Sequence, residues 1–157
     1  INPYLGYSSI IEYINSILDK AEPRKGAEEL ITSLHEANIK TVILSGGIQY
    51  LADKWAKEWN MDDALANDLI DDKNGNLTAI IKSSGHNKGP VMEKMIEKYN
   101  FKKNEIAAVG DTVVDIPTFE RAGLSIAVNT EDERVISRAN YHLKGDLTEL
   151  KSLILNW

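Results

Sequence analysis

The sequence predicts an α/β fold, a doubly wound parallel sheet with helices on both faces and one small β-hairpin. Short, apolar, β-branched runs alternate with segments of helical periodicity along the chain, which is the pattern of repeated strand–helix units. Two of the runs end at glycine, in Ser45-Gly46-Gly47 and in Gly110-Asp111, before a helical pattern begins. Asn74-Gly75 stands between two strand-like runs and indicates the hairpin.

Helices are expected where apolar residues recur at helical spacing. Ile10, Ile14 and Leu18 define the first of them. Pro23 ends that unit, and Pro90 stands in the first turn of a later helix, where proline is tolerated. The predicted helices cover residues 8–20, 26–37, 48–60, 87–99, 116–122, 131–138 and 147–156.

Strands are expected in the apolar runs between these helices. Val42, Ile43 and Leu44 form a run typical of a central parallel strand, which is buried on both faces. The predicted strands cover residues 40–44, 64–70, 77–81, 105–109, 124–128 and 141–143.

The composition favours one globular domain and excludes several classes of function. The 157 residues are 43% hydrophobic, which is enough for one well-buried core. A net charge of −6 argues against a nucleic-acid-binding surface, which would be basic. The chain has no cysteine for disulfide or thiolate chemistry, and no apolar run approaches the ~18 residues of a membrane span. We expect a cytoplasmic protein without a nucleic-acid or membrane partner, and the sequence indicates no particular oligomeric state.

Ser45-Gly46-Gly47 is a candidate anion site between a predicted strand and a predicted helix. A hydroxyl group and backbone N–H groups at a helix N-terminus bind anions such as phosphate. The alternative is an ordinary Ser/Gly helix cap. Neither a dinucleotide-binding glycine fingerprint nor a Walker-type phosphate loop is present.

Lys88 enters a predicted helix from a loop of small residues. A cation at a helix N-terminus opposes the helix dipole, so this placement is unfavourable unless an anion or a carboxylate compensates it. The alternative is a solvated loop lysine. His86, in the same loop, is interpreted as an exposed residue.

Asp111 and Asp115 follow a predicted buried strand and lie about one helical turn apart. In open α/β sheets, ligands bind just outside the carboxyl ends of the strands. Two carboxylates placed there can hold Mg²⁺ directly or through its waters. The alternative is an ordinary strand-to-helix turn, in which Asp111 or Thr112 caps the helix and Asp115 favours its positive end.

The Ser-Gly-Gly segment, the lysine at a helix start and the paired aspartates follow one another along the chain in an order that resembles the haloacid dehalogenase (HAD) superfamily of aspartate-dependent phosphotransferases. They resemble in particular its phosphoserine-phosphatase-like branch. The matching stretches are residues 22–30, 42–47, 66–67, 72–78, 88, 109–117 and 122–128. The resemblance implies a Rossmann-like, HAD-type fold. It also implies a Mg²⁺-dependent phosphomonoesterase that acts through an aspartyl-phosphate on phosphoserine or a similar small phosphorylated metabolite.

The same resemblance assigns roles to the candidate residues. Ser45, with the backbone of Gly46 and Gly47, would bind the oxygens of the transferred phosphoryl group. Lys88 would neutralise the charge of the phosphoryl group and of the nucleophile. Asp111 and Asp115 would form the metal site, where Asp111 ligates Mg²⁺ and Asp115 orients a metal-bound water or Lys88. Phosphoryl transfer requires this combination of positioning and spread positive charge.

The sequence departs from the family pattern in two places. Val114 stands where phosphoserine phosphatases usually carry Asn in Gly-Asp-x-x-Asn-Asp. The family's first motif, Asp-x-Asp-Gly-Thr, carries the nucleophile and the general acid/base and has no counterpart here. We expect that motif and most of the helical cap to lie upstream of Ile1. Residues 1–22 are therefore interpreted as a remnant of the cap, and residues 23–157 as the core domain without its first strand.

That first strand would lie between the strands at 41–44 and 106–109. We expect either that a segment from outside the 157 residues fills its position or that the two strands pair directly.

An alternative function of a different class is that of a non-catalytic HAD-like module for binding or regulation. A flavodoxin-like receiver or a nucleotide-binding domain would need an acidic cluster or a glycine fingerprint, and the sequence has neither.

Overall fold

The computed structural model describes residues 6–71, 76–84 and 88–157. In these ranges the α-helices are α1 (Ile10–Leu18), α2 (Ala27–Glu36), α3 (Gln49–Glu58), α4 (Lys88–Tyr99), α5 (Ile116–Phe119), α6 (Glu133–Ile136) and α7 (Glu149–Leu155). The strands are β1 (Val42–Ile48), β2 (Asp63–Asp71), β3 (Leu77–Ile80), β4 (Ala107–Gly110), β5 (Leu124–Val128) and β6 (Tyr141–Leu143). Lys103–Glu105 and Val113–Asp115 form short 3₁₀ turns. Each predicted helix and strand has a counterpart, and the bounds of β5 and β6 are those predicted.

The clearest difference from the predicted elements is in β1, which was expected to end at Leu44. The strand continues through Ser45-Gly46-Gly47 to Ile48. Its register against β2 shifts between Leu44 and Ile48, so the added residues form a bulge in the ladder. The helix that follows therefore begins at Gln49, and the Ser-Gly-Gly segment is an irregular strand end rather than a helix cap.

The strands of the described ranges form two three-stranded sheets. In one sheet, β1 pairs in parallel with β2, and β2 pairs antiparallel with β3. In the other, β4, β5 and β6 are all parallel. Because β1 and β4 are not hydrogen-bonded to each other, the prediction that they pair directly is wrong. The other alternative, a strand from outside the 157 residues between them, stays a prediction.

The β2–β3 hairpin is confirmed by its antiparallel register, in which Asp71 faces Leu77. The expected turn at Asn74-Gly75 lies outside the described residues. The same is true of His86 and of the expected helix start at residue 87.

β5 is the centre of the fold, because all five of its residues are buried. On one face, a core cluster joins β5 to α2 and α7; its members are Leu30, Leu34, Leu124, Ile126, Val128 and Leu150. On the other face, a second cluster consists of Met92, Ala108, Phe119, Ala122, Ala127 and Val135. Burial on both faces is what a doubly wound parallel sheet requires. Leu44 of β1 packs against the second cluster, so the two sheets share that core.

α1 lies at the edge of the fold and contains no buried residue. Its N-terminus is capped by the side chain of Ser9, which accepts a hydrogen bond from the N–H of Glu12 at 3.1 Å. Its C-terminal end is tied to α3, because Tyr50 donates to the carboxylate of Asp19 and Lys54 donates to its carbonyl, both at 2.8 Å. The assignment of residues 1–22 to a cap remains a prediction. Among the helices that the structure describes, none has the length and hydropathy needed to cross a bilayer.

Candidate active site

A buried ion pair joins the start of α4 to the segment that follows β4. The Nζ of Lys88 donates to Oδ1 of Asp115, and only 6% of Lys88 and 5% of Asp115 are exposed. A buried charge of this kind requires a partner. Asp115 is thus the carboxylate that compensates a cation at a helix N-terminus, and Lys88 is not a solvated loop lysine.

The other oxygen of Asp115 holds the turn between β4 and α5. Oδ2 accepts hydrogen bonds from the backbone N–H groups of Asp111 and Thr112, both at 3.0 Å, and from Oγ1 of Thr112 at 3.1 Å. Gly110 makes this approach possible, because a Cβ at that position would lie 2.4 Å from the Cβ of Asp115. One carboxylate therefore fixes both Lys88 and the backbone that presents Asp111.

These contacts keep Asp115 charged. Burial by itself would raise the pKa of the Asp115 carboxyl, since it disfavours the ionised form. The hydrogen bond and positive charge of Lys88, together with the N–H groups of Thr112 and Asp111, outweigh burial and lower the pKa below its ordinary value. Asp115 is therefore ionised at neutral pH.

Asp111 points to the surface, where 41% of its side chain is exposed. Its Oδ2 accepts a hydrogen bond from Nη2 of Arg24 at 3.0 Å. Arg24 lies in the connection between α1 and α2 and was not predicted as a site residue. It lies in the stretch 22–30 that resembles the family, but the sequence assigns it no role, and its proximity to Asp111 follows only from the folded chain.

The Ser45-Gly46-Gly47 segment lies beside the loop that precedes Lys88. A Cβ on Gly46 would be 3.7 Å from the carbonyl oxygen of Ser83, and the N–H of Lys88 donates to the carbonyl of Ser84 at 2.8 Å. Within the segment, the N–H of Gly47 donates to Oγ of Ser45 at 3.0 Å. Gly46 and Gly47 are exposed, so their backbone is open to a ligand.

The described residues fit a Mg²⁺ site in which the protein supplies only one or two of the ligands. No group of three or more acidic or histidine side chains in these residues could hold a metal ion. Asp111 offers a partly exposed carboxylate, whereas both oxygens of Asp115 already accept hydrogen bonds. Mg²⁺ binds through one or two carboxylates and keeps several waters or substrate oxygens in its shell. This donor set suits a direct ligand at Asp111 and an orienting residue at Asp115.

Comparison with known proteins identifies the family of the chain. The family model of haloacid dehalogenase-like hydrolases matches residues 4–123. The chain belongs to this family. It is 34% identical over 125 residues to a phosphoserine phosphatase of Archaeoglobus fulgidus, an alignment that covers 78% of this chain and 36% of the relative. It is also 43% identical over 61 residues to a phosphoglycolate phosphatase of Methanosarcina acetivorans, covering 39% of this chain and 27% of that relative.

The HAD-type α/β fold is confirmed by similarity to solved structures. A structure described as a substrate-bound phosphoserine phosphatase complex superposes with a TM-score of 0.84 at 30% identity and covers 92% of this HAD chain. The chain in turn covers 70% of that protein. Three phosphoserine phosphatases that the chain matches are longer, and the chain spans 36% to 62% of their length.

Proposed function

We propose that the complete protein is a Mg²⁺-dependent phosphomonoesterase that acts through an aspartyl-phosphate. The proposed substrate is phosphoserine or a similar small phosphorylated metabolite. The observation that carries the proposal is the buried Lys88–Asp115 pair beside Asp111, in a chain of the HAD-like hydrolase family. The nucleophilic aspartate would come from a segment outside the 157 residues.

In this proposal the residues of the chain position charge around a phosphoryl group. Lys88 places a fixed ammonium at the site, and Asp115 holds that ammonium in one orientation. Ser45 and the backbone of Gly46 and Gly47 would bind phosphoryl oxygens, and the Gly47 N–H that now donates to Oγ of Ser45 would have to turn to the ligand. Asp111 would hold Mg²⁺, which stabilises the negative charge that develops on those oxygens.

Phosphoglycolate is a second candidate substrate. The 43% identity to a phosphoglycolate phosphatase favours it. Val114 argues against strict phosphoserine specificity, because it replaces an Asn of the usual phosphoserine phosphatase pattern with a side chain that cannot hydrogen-bond. Val114 lies in the 3₁₀ turn that ends at Asp115.

Release of inorganic phosphate by the complete protein tests the proposal. Phosphoserine, phosphoglycolate and p-nitrophenyl phosphate are each supplied with Mg²⁺ and, separately, with EDTA. The proposal predicts Mg²⁺-dependent release and a preference for one of the first two substrates. Binding of phosphoserine or phosphoglycolate without any release would instead identify a non-catalytic HAD-like module. Release that EDTA does not reduce would contradict the metal-dependent mechanism.

A further inference from the structure

We infer that Asn67 is a positioning residue that sets the spacing between the phosphate-binding segment Ser45-Gly46-Gly47 and Lys88. The inference rests on the proposed function. Asn67 lies on β2 opposite Ile48 of β1 and is 9% exposed. Its side chain contacts the phosphate-binding segment at Gly46 and the loop before Lys88 at Lys82 and Ser83.

The carboxamide of Asn67 bridges two loops. Its Nδ2 donates to the carbonyl of Gly46 at 2.8 Å. Its Oδ1 accepts from the backbone N–H groups of Lys82 and Ser83, each at 2.8 Å. These partners also fix the orientation of the amide, because only the oxygen can accept and only the nitrogen can donate.

The bridge is continuous with the buried ion pair. Ser83 is fully buried, so its N–H has no access to water and depends on Asn67. The next residue, Ser84, accepts the backbone hydrogen bond of Lys88 at 2.8 Å. Asn67 thus ties the backbone that would hold the phosphoryl group to the backbone that begins the helix of Lys88.

Asp111 is held by different contacts. Its backbone is fixed by Asp115 and its side chain by Arg24. Loss of the Asn67 bridge should therefore displace the phosphate-binding segment relative to Lys88 and leave the metal ligand in place. A displacement of about 1 Å is enough to lower a rate by about 100-fold.

Asn129 provides a matched control. Its Nδ2 donates to the carbonyl of Gly145 at 3.0 Å, and its Oδ1 accepts from the N–H of Gly145 at 2.7 Å. It thus also joins two loops through a glycine, at the ends of β5 and β6. Alanine at Asn129 removes one donated and one accepted hydrogen bond at an exposed position, whereas alanine at Asn67 removes one donated and two accepted hydrogen bonds.

The test compares Asn67→Ala with Asn129→Ala in the complete protein, by kcat, KM and Mn²⁺ titration. We expect Asn67→Ala to lower kcat by about 10- to 100-fold and to leave the Mn²⁺ dissociation constant within two-fold of the unchanged protein. Asn129→Ala should keep both near their original values. If Asn67→Ala does not fold, Asn67→Asp decides, because it keeps the acceptor for Lys82 and Ser83 and puts a carboxylate oxygen in place of the donor to Gly46.

Three results would overturn the inference. Equal kcat in the Asn67 and Asn129 variants would refute this inference and leave the proposed function unaffected. A parallel loss of kcat and Mn²⁺ affinity in the Asn67 variants would show a merely structural role. Absence of phosphate release by the unchanged protein would refute the proposed function, and this inference with it.

Discussion

Arg24 donates a hydrogen bond to the carboxylate of Asp111 at 3.0 Å across 87 residues of sequence. Asp111 is the proposed Mg²⁺ ligand, so the guanidinium and the metal ion would compete for the same carboxylate. The pair is open to solvent, with 55% of the Arg24 side chain and 41% of the Asp111 side chain exposed. Exposed pairs of this kind contribute about 0–1 kcal/mol.

Replacing Arg24 should strengthen divalent-cation binding. We predict that Arg24→Gln tightens Mn²⁺ binding by up to about five-fold, the factor that corresponds to loss of an exposed ion pair. Mn²⁺ titration followed by electron paramagnetic resonance measures the affinity. Arg138→Gln is the control, since Arg138 forms a similarly exposed pair with Glu120 at 3.2 Å. Weaker Mn²⁺ binding in Arg24→Gln would mean that Arg24 supports the metal site rather than competing with it.

Asp115 should make the free energy of unfolding decrease as the pH falls in the acid range. Its pKa is lowered in the folded state, so its contribution is present above the unfolded-state pKa of about 3.9 and is lost as the pH falls through the lower folded-state value. Urea unfolding from pH 6 to pH 2 should show this loss in the unchanged protein.

The same measurement on Asp115→Asn isolates the ion pair. This variant leaves Lys88 buried beside a neutral group, so we expect the free energy of unfolding to fall by about 3–5 kcal/mol near neutral pH. We also expect the free energy of unfolding to depend less on pH between pH 6 and pH 2. Asp132→Asn is the control, because the pKa of Asp132 is also lowered but its partner Arg134 is exposed. The same dependence of the free energy of unfolding on acid pH in the unchanged protein and in Asp115→Asn would contradict the burial and pairing of Asp115.

Gly110 should tolerate no side chain. A Cβ at this position would lie 2.4 Å from the Cβ of Asp115 and 2.5 Å from its Cγ. We predict that Gly110→Ala destabilises the fold by about 1–3 kcal/mol, as overpacked sites do, and lowers phosphatase activity by displacing Asp115. Thermal unfolding and phosphate release measure the two effects. Full activity in Gly110→Ala would show that Asp115 can move without loss of function.

The fold was predictable because its central elements carry strong patterns. β5 is a continuous apolar run, and its burial on both faces explains why its bounds were predicted without error. The end of β1 was not predicted, because Ser45-Gly46-Gly47 has the composition of a turn and forms a bulge. Glycines permit both conformations, and pairing with β2 decides between them.

The candidate site was predictable only in part. The unfavourable position of Lys88 at a helix start left two alternatives, a compensating anion or carboxylate and a solvated lysine, and the fold pairs it with Asp115. Arg24 and Asn67 were not predicted as site residues. Both lie in stretches that resemble the family, at 22–30 and 66–67, but the sequence assigns them no role, and their contacts join segments that only tertiary structure brings together.

The central claim is that Lys88, held by Asp115, supplies the charge for phosphoryl transfer. Comparing Lys88→Gln with Lys98→Gln tests it most directly. Glutamine keeps a hydrogen-bond donor for Asp115, and Lys98 is an exposed lysine of the same helix that pairs with Asp63 at 2.6 Å. In a single-turnover assay with Mg²⁺, we predict that Lys88→Gln lowers the rate of phosphate release by about 100- to 1,000-fold, the scale of removing one charge-stabilising donor. Lys98→Gln should react at the unchanged rate. Equal rates in the two folded variants would contradict the assignment of Lys88 to the active site.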